Sequence, residues 1–367
     1  MKFEVVRECP HTRARAGLLY TAHGVVETPV FMPVGTAGSV KGLTQQMLEQ
    51  ELGARILLAN TYHLLVRPGP EAIAGLGGLH RFMGWPRAIL TDSGGYQVFS
   101  LKTLRKITED GVVFRSHLDG TEHRLTPESA LQTQEALGSD VRMVLDECTE
   151  YPAKRERARQ SMERTVRWAE RSFAFECKDV FPIVQGSMYA DLRRECAERL
   201  VELNADGYAL GGLSVGEPRS VSLEMVEATE RVLPRDRPRY CMGVGMLEEL
   251  GDYVARGVDM MDCVLPTRNA RNGYLFTTRG RIVIKHRKYR DDPRPIDPEC
   301  RCPACGRYSR SYLRHLYQAG EILFSTLATA HNVFTYLDRM RRIRDAIKVG
   351  NLPNLLNTFR SQRVDED

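Results

Sequence analysis

Ala88-Ile89-Leu90-Thr91-Asp92-Ser93-Gly94-Gly95-Tyr96-Gln97 is a short apolar run that breaks into polar and small residues. Its hydrophobicity is continuous rather than alternating, as expected of a parallel strand covered on both faces. Seven other runs share this form: Val30–Gly35, Arg55–Thr61, Val141–Glu147, Val180–Gly186, Gly207–Ser214, Tyr240–Gly245 and Met260–Pro266. Helix-like stretches separate them. Thr126-Pro127-Glu128 supplies a capping hydroxyl, a proline for the first helical position and an acid where the helix dipole favours negative charge. In Ala153–Ser172, the apolar Met162, Val166 and Ala169, with neighbouring Phe173, mark one stripe among charges. Eight such units predict an α/β protein built as a (β/α)8 TIM barrel. An open doubly wound sheet has the same local pattern and is the alternative.

Outside the runs, Phe3–Glu8 and Gly17–Thr28 read as antiparallel strands, so residues 1–28 are expected to close the bottom of a barrel core spanning 29–273. Tyr274–Thr278 and Arg281–Lys285 flank Arg279-Gly280 as a hairpin. The hairpin opens a zinc-binding, basic subdomain expected over 274–340, followed by a helical segment and tail over 341–367. Apolar helical segments are expected at Leu323–Leu337 and Leu352–Phe359, and fraying at Val364–Asp367. No linker or fixed-period repeat divides the chain.

Composition narrows the class. The chain has 367 residues, 42% of them hydrophobic, which suits a large buried core and excludes disordered and fibrous classes. It has no apolar stretch long enough to cross a membrane, and its first residues lack the apolar core of a secretory signal, so a cytoplasmic location is expected. The net charge of +5 is too small to identify a nucleic-acid partner. The surplus is concentrated, however: Arg281 to Arg314 carries ten Lys or Arg against four Asp or Glu, a segment that could face a polyanion or be a solvated basic surface.

In a barrel the C-terminal strand ends converge on the active site. Asp92, Asp146 and Asp262 then meet at one mouth, with glycines beside them that let a flat ligand approach backbone groups. Each Asp taken singly could be a helix cap, and Tyr96 and Met242 could be core residues; their joint placement at successive strand ends argues for a site. Two carboxylates with separate tasks are what cleavage of a glycosidic bond requires. Cys300-Arg301-Cys302-Pro303-Ala304-Cys305 is a second signal. Three thiolates plus one imidazole make a closed tetrahedral zinc shell, structural rather than catalytic. By spacing, the fourth ligand could be His331, His286, His315 or another cysteine.

At these positions the sequence resembles the bacterial tRNA-guanine transglycosylase family. The matching stretches are Thr91–Leu101, Asp146–Ala153, Val184–Ser187, Gly211–Glu217, Met242–Gly245, Met261–Gly273 and the cysteine run with its distant histidine. The resemblance implies exchange of guanine at the anticodon wobble position of tRNA for 7-aminomethyl-7-deazaguanine, without an organic cofactor. It implies Asp262 as the nucleophile at ribose C1′ and Asp92 as the general acid/base. Asp146, Gln185 and the backbone at Gly212 and Leu213 would read the base edge, Tyr96 and Met242 would stack on its faces, and Ser93 would lie close by. Arg268 and Arg271 would hold tRNA phosphates or sugars. Cys300, Cys302, Cys305 and His331 would bind one Zn2+. Val215 and Cys148 narrow the room around the base substituent, as in users of the aminomethyl base. Met246-Leu247 departs from the Lys-Pro of many bacterial members and bears on one RNA contact. A homodimer is expected by the same analogy, with Tyr308, Tyr312 and His315 as candidate interface residues. Two other readings of the chain are a non-catalytic tRNA-binding subunit and a barrel glycosidase; retention of Asp92 and Asp262 opposes the first, and the basic zinc-pinned segment opposes the second.

Overall fold

The eight runs pair in one parallel sheet that closes on itself, which decides between the two architectures. In the computed structural model, residues 1–96, 105–175 and 177–362 are described. The end of the third motif, Gln97–Leu101, and the tail at 364–367 lie outside the described residues. Val30–Gly35 pairs with Ile56–Ala59, which pairs with Ala88–Thr91, then Val141–Met143, then Val180–Phe181. From Ile183–Val184 the sheet continues through Tyr208–Leu210 and Arg239–Cys241 to Met260–Cys263, which returns to Val30–Gly35. The sheet counts nine strands because Pro182 divides the fifth run in two. Proline has no N–H for the ladder, yet its carbonyl still accepts from Ala209 at 2.9 Å. The two pieces therefore occupy one of eight barrel positions.

Side-chain alternation explains the continuous hydrophobicity. Met32, Leu58, Leu90, Met143 and Met260 fill the barrel, whereas Phe31, Leu57, Ile89 and Met261 face the surrounding helices. Thr126 caps the helix Pro127–Leu137 through a reciprocal bond pattern with Ser129. The helix Arg155–Ala174 buries Met162, Val166 and Ala169 on one face.

Below the barrel lie three antiparallel strands, Lys2–Glu8, Arg15–Thr21 and Gly24–Thr28. The single strand expected over Gly17–Thr28 is thus a hairpin, turned at Gly24 with φ +114°. Leu19 and Val26 join the barrel's interior cluster. Buried Arg15 donates to Asp259 at 2.9 and 2.6 Å, beside the start of the eighth strand. One element was not anticipated: a three-stranded antiparallel sheet, Arg105–Ile107, Val112–Arg115 and Glu122–Leu125, after the third barrel strand. Its short strands bury Val112, Phe114 and Leu125 against Tyr62 and Trp168.

Past the eighth strand, the hairpin Tyr274–Thr277 with Gly280–Val283 leads through the cysteine-rich segment to the helix Arg310–Ala319. The helix Ile322–Lys348 follows, then Leu352–Ser361. A boundary between 340 and 341 falls inside the first of these, so the chain has no break there. Tyr336 on that helix packs on Phe31 and Phe276, with ring centroids 4.7 and 5.4 Å apart, tying it to the barrel and the hairpin. Among the described residues no helix is long and apolar enough to cross a membrane.

Candidate active site

Asp92 follows the third strand, Asp146 lies beyond the fourth, and Asp262 sits inside the eighth, on the same face as Met260 two residues earlier. All three are buried. They line one cleft of about 670 Å3 at the C-terminal strand ends, together with Ser93, Tyr96, Gln185, Gly212, Leu213, Met242, Arg268 and Arg271. The structure thus brings the three carboxylates and the residues expected beside the base and the RNA to one place, whereas Tyr308 and Tyr312 lie outside this cleft.

Each carboxylate has its own surroundings. Asp92 accepts from the Asn60 side-chain amide, from Thr61 N at 2.8 Å and from Gly94 N at 3.2 Å, which fixes its orientation. Asp262 Oδ1 accepts from the Tyr240 hydroxyl at 2.6 Å and from Gly243 N at 2.8 Å, leaving its other oxygen without a protein partner among the described residues. Burial raises the Asp262 carboxyl above the usual carboxylate range, and those two donors oppose the rise. Asp146 accepts from Ser93 Oγ at 3.1 Å and from Gln185 Nε2 at 2.7 Å. Its carboxyl is pushed up to about 6, with burial outweighing both hydrogen bonds.

Close approach explains the glycines. A Cβ on Gly95 would sit 2.9 Å from the Asp146 carbonyl oxygen. Gly212 has φ +64°, and a Cβ there would meet Gln185 Oε1 at 2.5 Å, so only glycine leaves the slot its shape. Tyr96 is exposed at the rim, Met242 is half-buried, and Cys148 and Val215 also line the cleft. Arg268 and Arg271 lie on the helix Leu265–Arg271, with no carboxylate partner among the described residues; Arg271 Nη1 is buried and unsatisfied. Two unpaired guanidinium groups at a cleft suit an anionic ligand.

Several residues at the site had no role in the sequence reading. Asn60, with Thr61, closes the second run in polar residues, a signal that was available. Tyr240 opens an apolar run, where nothing local marks its hydroxyl as a carboxylate partner. Glu217 accepts Ser214 N at 2.6 Å and Val215 N at 2.9 Å, organising the loop after the sixth strand. Arg193 is entirely buried on the helix Ala190–Val201 and gives no sequence signal, since it stands among charges. His63 also lines the cleft, and burial together with His117 and Lys41 lowers its pKa.

The cysteine run converges on His331, whose Nδ1 lies 3.6, 3.4 and 3.3 Å from the sulfurs of Cys300, Cys302 and Cys305. These four form a group able to hold a metal ion, and neither His286 nor His315 belongs to it. A tetrahedral zinc shell has an N···S edge of about 3.6 Å from its bond lengths, so the donor set is compatible with that ion. The other ring nitrogen, Nε2, faces the Phe276 carbonyl at 2.6 Å. Donating its proton there leaves Nδ1 free to ligate.

Comparison with known proteins agrees with this geometry. A family model described as Queuine tRNA-ribosyltransferase matches residues 9–365. Similar proteins of that name occur in Solibacter usitatus, 64% identical over 100% of this chain and 99% of the relative, and in Koribacter versatilis, 55% identical over 99% of each. A third, from Thermoanaerobacter pseudethanolicus, is 53% identical over 98% of this chain and 96% of the relative.

Proposed function

The chain belongs to the queuine tRNA-ribosyltransferase family, and from that membership we propose how its residues divide the work of tRNA-guanine transglycosylation. The enzyme is a pentosyltransferase that exchanges one nucleobase of tRNA for another. Asp262 attacks ribose C1′ of the wobble nucleotide; the C1′–N9 bond breaks and its electron pair leaves with guanine, which takes up a proton. The resulting ester is attacked by the incoming base, which loses a proton as the Asp262 carboxylate departs. Two inversions at one carbon retain its configuration. Asp92 delivers the first proton and accepts the second, held for that task by Asn60, Thr61 and Gly94.

The base lies between Tyr96 and Met242, near Ser93. Asp146 and Gln185 read its Watson–Crick edge, with the backbone of Gly212 and Leu213. Arg268 and Arg271 hold the flanking phosphates, and the anticodon loop makes it cheap to splay the nucleotide into the cleft. The incoming base is 7-aminomethyl-7-deazaguanine, a choice supported by Val215 and Cys148 in the wall. Cys300, Cys302, Cys305 and His331 bind one zinc ion, which supplies a structural cross-link between the cysteine run and the helix Ile322–Lys348. The reaction takes place in the cytoplasm, a reading supported by the tRNA substrate. The exposed Tyr312, stacked on Tyr308 at 5.5 Å, and the nearby His315 form the contact of a homodimer.

The observation that carries this reading is the convergence of three buried carboxylates from three strands on one cleft beside unpaired arginines. Incorporation of labelled guanine into tRNA tests it. Wild type exchanges the base, Asp262→Ala does not, and a protein–RNA adduct trapped with a base analogue maps to Asp262. Undiminished exchange by the Ala variant refutes the assignment.

A further inference from the structure

Arg193 is buried completely, yet among the described residues no carboxylate hydrogen-bonds it. Its Nε donates to the Ser187 carbonyl at 2.7 Å, and Nη2 donates to the carbonyls of Gly211 at 2.9 Å and Gly212 at 3.4 Å. Burying a cation this way is costly and is tolerated where the groups it orders matter. The groups ordered here are two successive peptides of the cleft wall. In a planar trans peptide the N–H points opposite to the C=O. Drawing the Gly211 and Gly212 carbonyls towards Arg193 therefore turns the N–H groups of Gly212 and Leu213 away from it. Both residues line the cleft. Among the described residues neither N–H donates to a protein acceptor, although buried amides are normally paired.

We infer that Arg193 is a positioning residue that aims the Gly212 and Leu213 N–H groups into the cleft as a paired donor for a carbonyl oxygen on the base. This rests on the base-exchange reading above and extends it. A 2-amino-6-oxo purine edge offers donors to Asp146 and, next to them, one acceptor oxygen for the two amides. Lysine in place of Arg193 keeps the charge but presents a point donor instead of a fork, and so cannot hold Ser187 and both glycine carbonyls together. Methionine removes every donor.

The test is a titration of free guanine and of 2-aminopurine, which lacks the 6-oxo group, against the whole protein and against Arg193→Lys and Arg193→Met. Wild type binds guanine at least tenfold more tightly than 2-aminopurine. Both variants weaken guanine about tenfold or more while 2-aminopurine shifts less than about twofold. A merely structural role would weaken both bases in parallel, and that result, or unchanged guanine binding, overturns the inference. If one variant fails to fold, the other carries the comparison; equal affinity of wild type for the two bases refutes the inference without any variant. Wild type that exchanges guanine while a variant keeps the wild-type preference removes only the role of Arg193. Wild type with no exchange removes the reading beneath it.

Discussion

Replacing Asp146 by Asn should stabilise the protein while damaging its recognition of the base. In the native state the Asp146 carboxyl is pushed from its ordinary 3.8 up to about 6, with burial as the leading cause. The folded chain therefore binds this proton more tightly than the unfolded chain. Stability is lost as pH rises from about 4 to about 6 and stays low above that. The interval corresponds to about 3 kcal/mol at 1.36 kcal/mol per pH unit, an upper bound on what removing the charge can return. Asn has nearly the same shape and keeps a carbonyl for one of its two present donors, Gln185 and Ser93. The Ser93 hydroxyl can rotate, or the Gln185 amide flip, to meet the new NH2 group. Denaturant unfolding of wild type and Asp146→Asn from pH 4 to pH 8 reads the effect. The stability gap should be near zero at pH 4 and open to at most about 3 kcal/mol above pH 6. The same change puts a donor where the purine presents donors, so the KM for free guanine should rise on the order of a hundredfold. A gap of equal size at pH 4 and pH 8, or an Asn variant less stable at pH 8, refutes the buried-carboxylate argument.

Further outcomes are expected of the same structure. In wild type the KM for the free base should rise as pH falls through about 6, where Asp146 gains its proton, and a flat profile between pH 5 and 8 contradicts this. Arg271→Ala should raise the KM for tRNA and reduce the salt slope of binding by about one, with base affinity unchanged. Elemental analysis should find one zinc per chain, lost in Cys302→Ser, with a lowered melting temperature; equal metal content in both proteins would exclude the proposed ligand set. Arg15→Met leaves Asp259 buried without its salt-bridge partner, with the Arg239 N–H still donating to it, so unfolding measurements should show a loss of about 3 to 5 kcal/mol, and a loss under 1 kcal/mol would mean water reaches that carboxylate.

Much of the site was legible because catalytic groups at strand ends interrupt runs that are otherwise apolar. Asp92, Asp146 and Asp262 stood out in this way, as did the closely spaced Cys300, Cys302 and Cys305. Tyr240 did not, because a tyrosine at the start of an apolar run looks like core; its value is a hydroxyl placed on Asp262. Arg193 was hidden among the charges of an amphipathic helix, where nothing local distinguishes an arginine turned inward. The strands between Arg105 and Leu125 were missed because they are only three or four residues long and bury few side chains.

What the order of residues determined alone was local: eight strands buried on both faces, the capped helix at Thr126, a three-thiolate run, and which polar groups end each strand. Continuous apolar runs and capping chemistry act over a few residues and can be read there. Tertiary structure decided what depends on contacts between distant segments. Barrel closure required Met260–Cys263 to lie beside Val30–Gly35. Choosing His331 over His286 and His315 required a helix to bring one imidazole onto three sulfurs. The raised Asp146 carboxyl and the inward Arg193 likewise arise only once packing excludes water, because burial and hydrogen-bond direction are properties of the assembled fold.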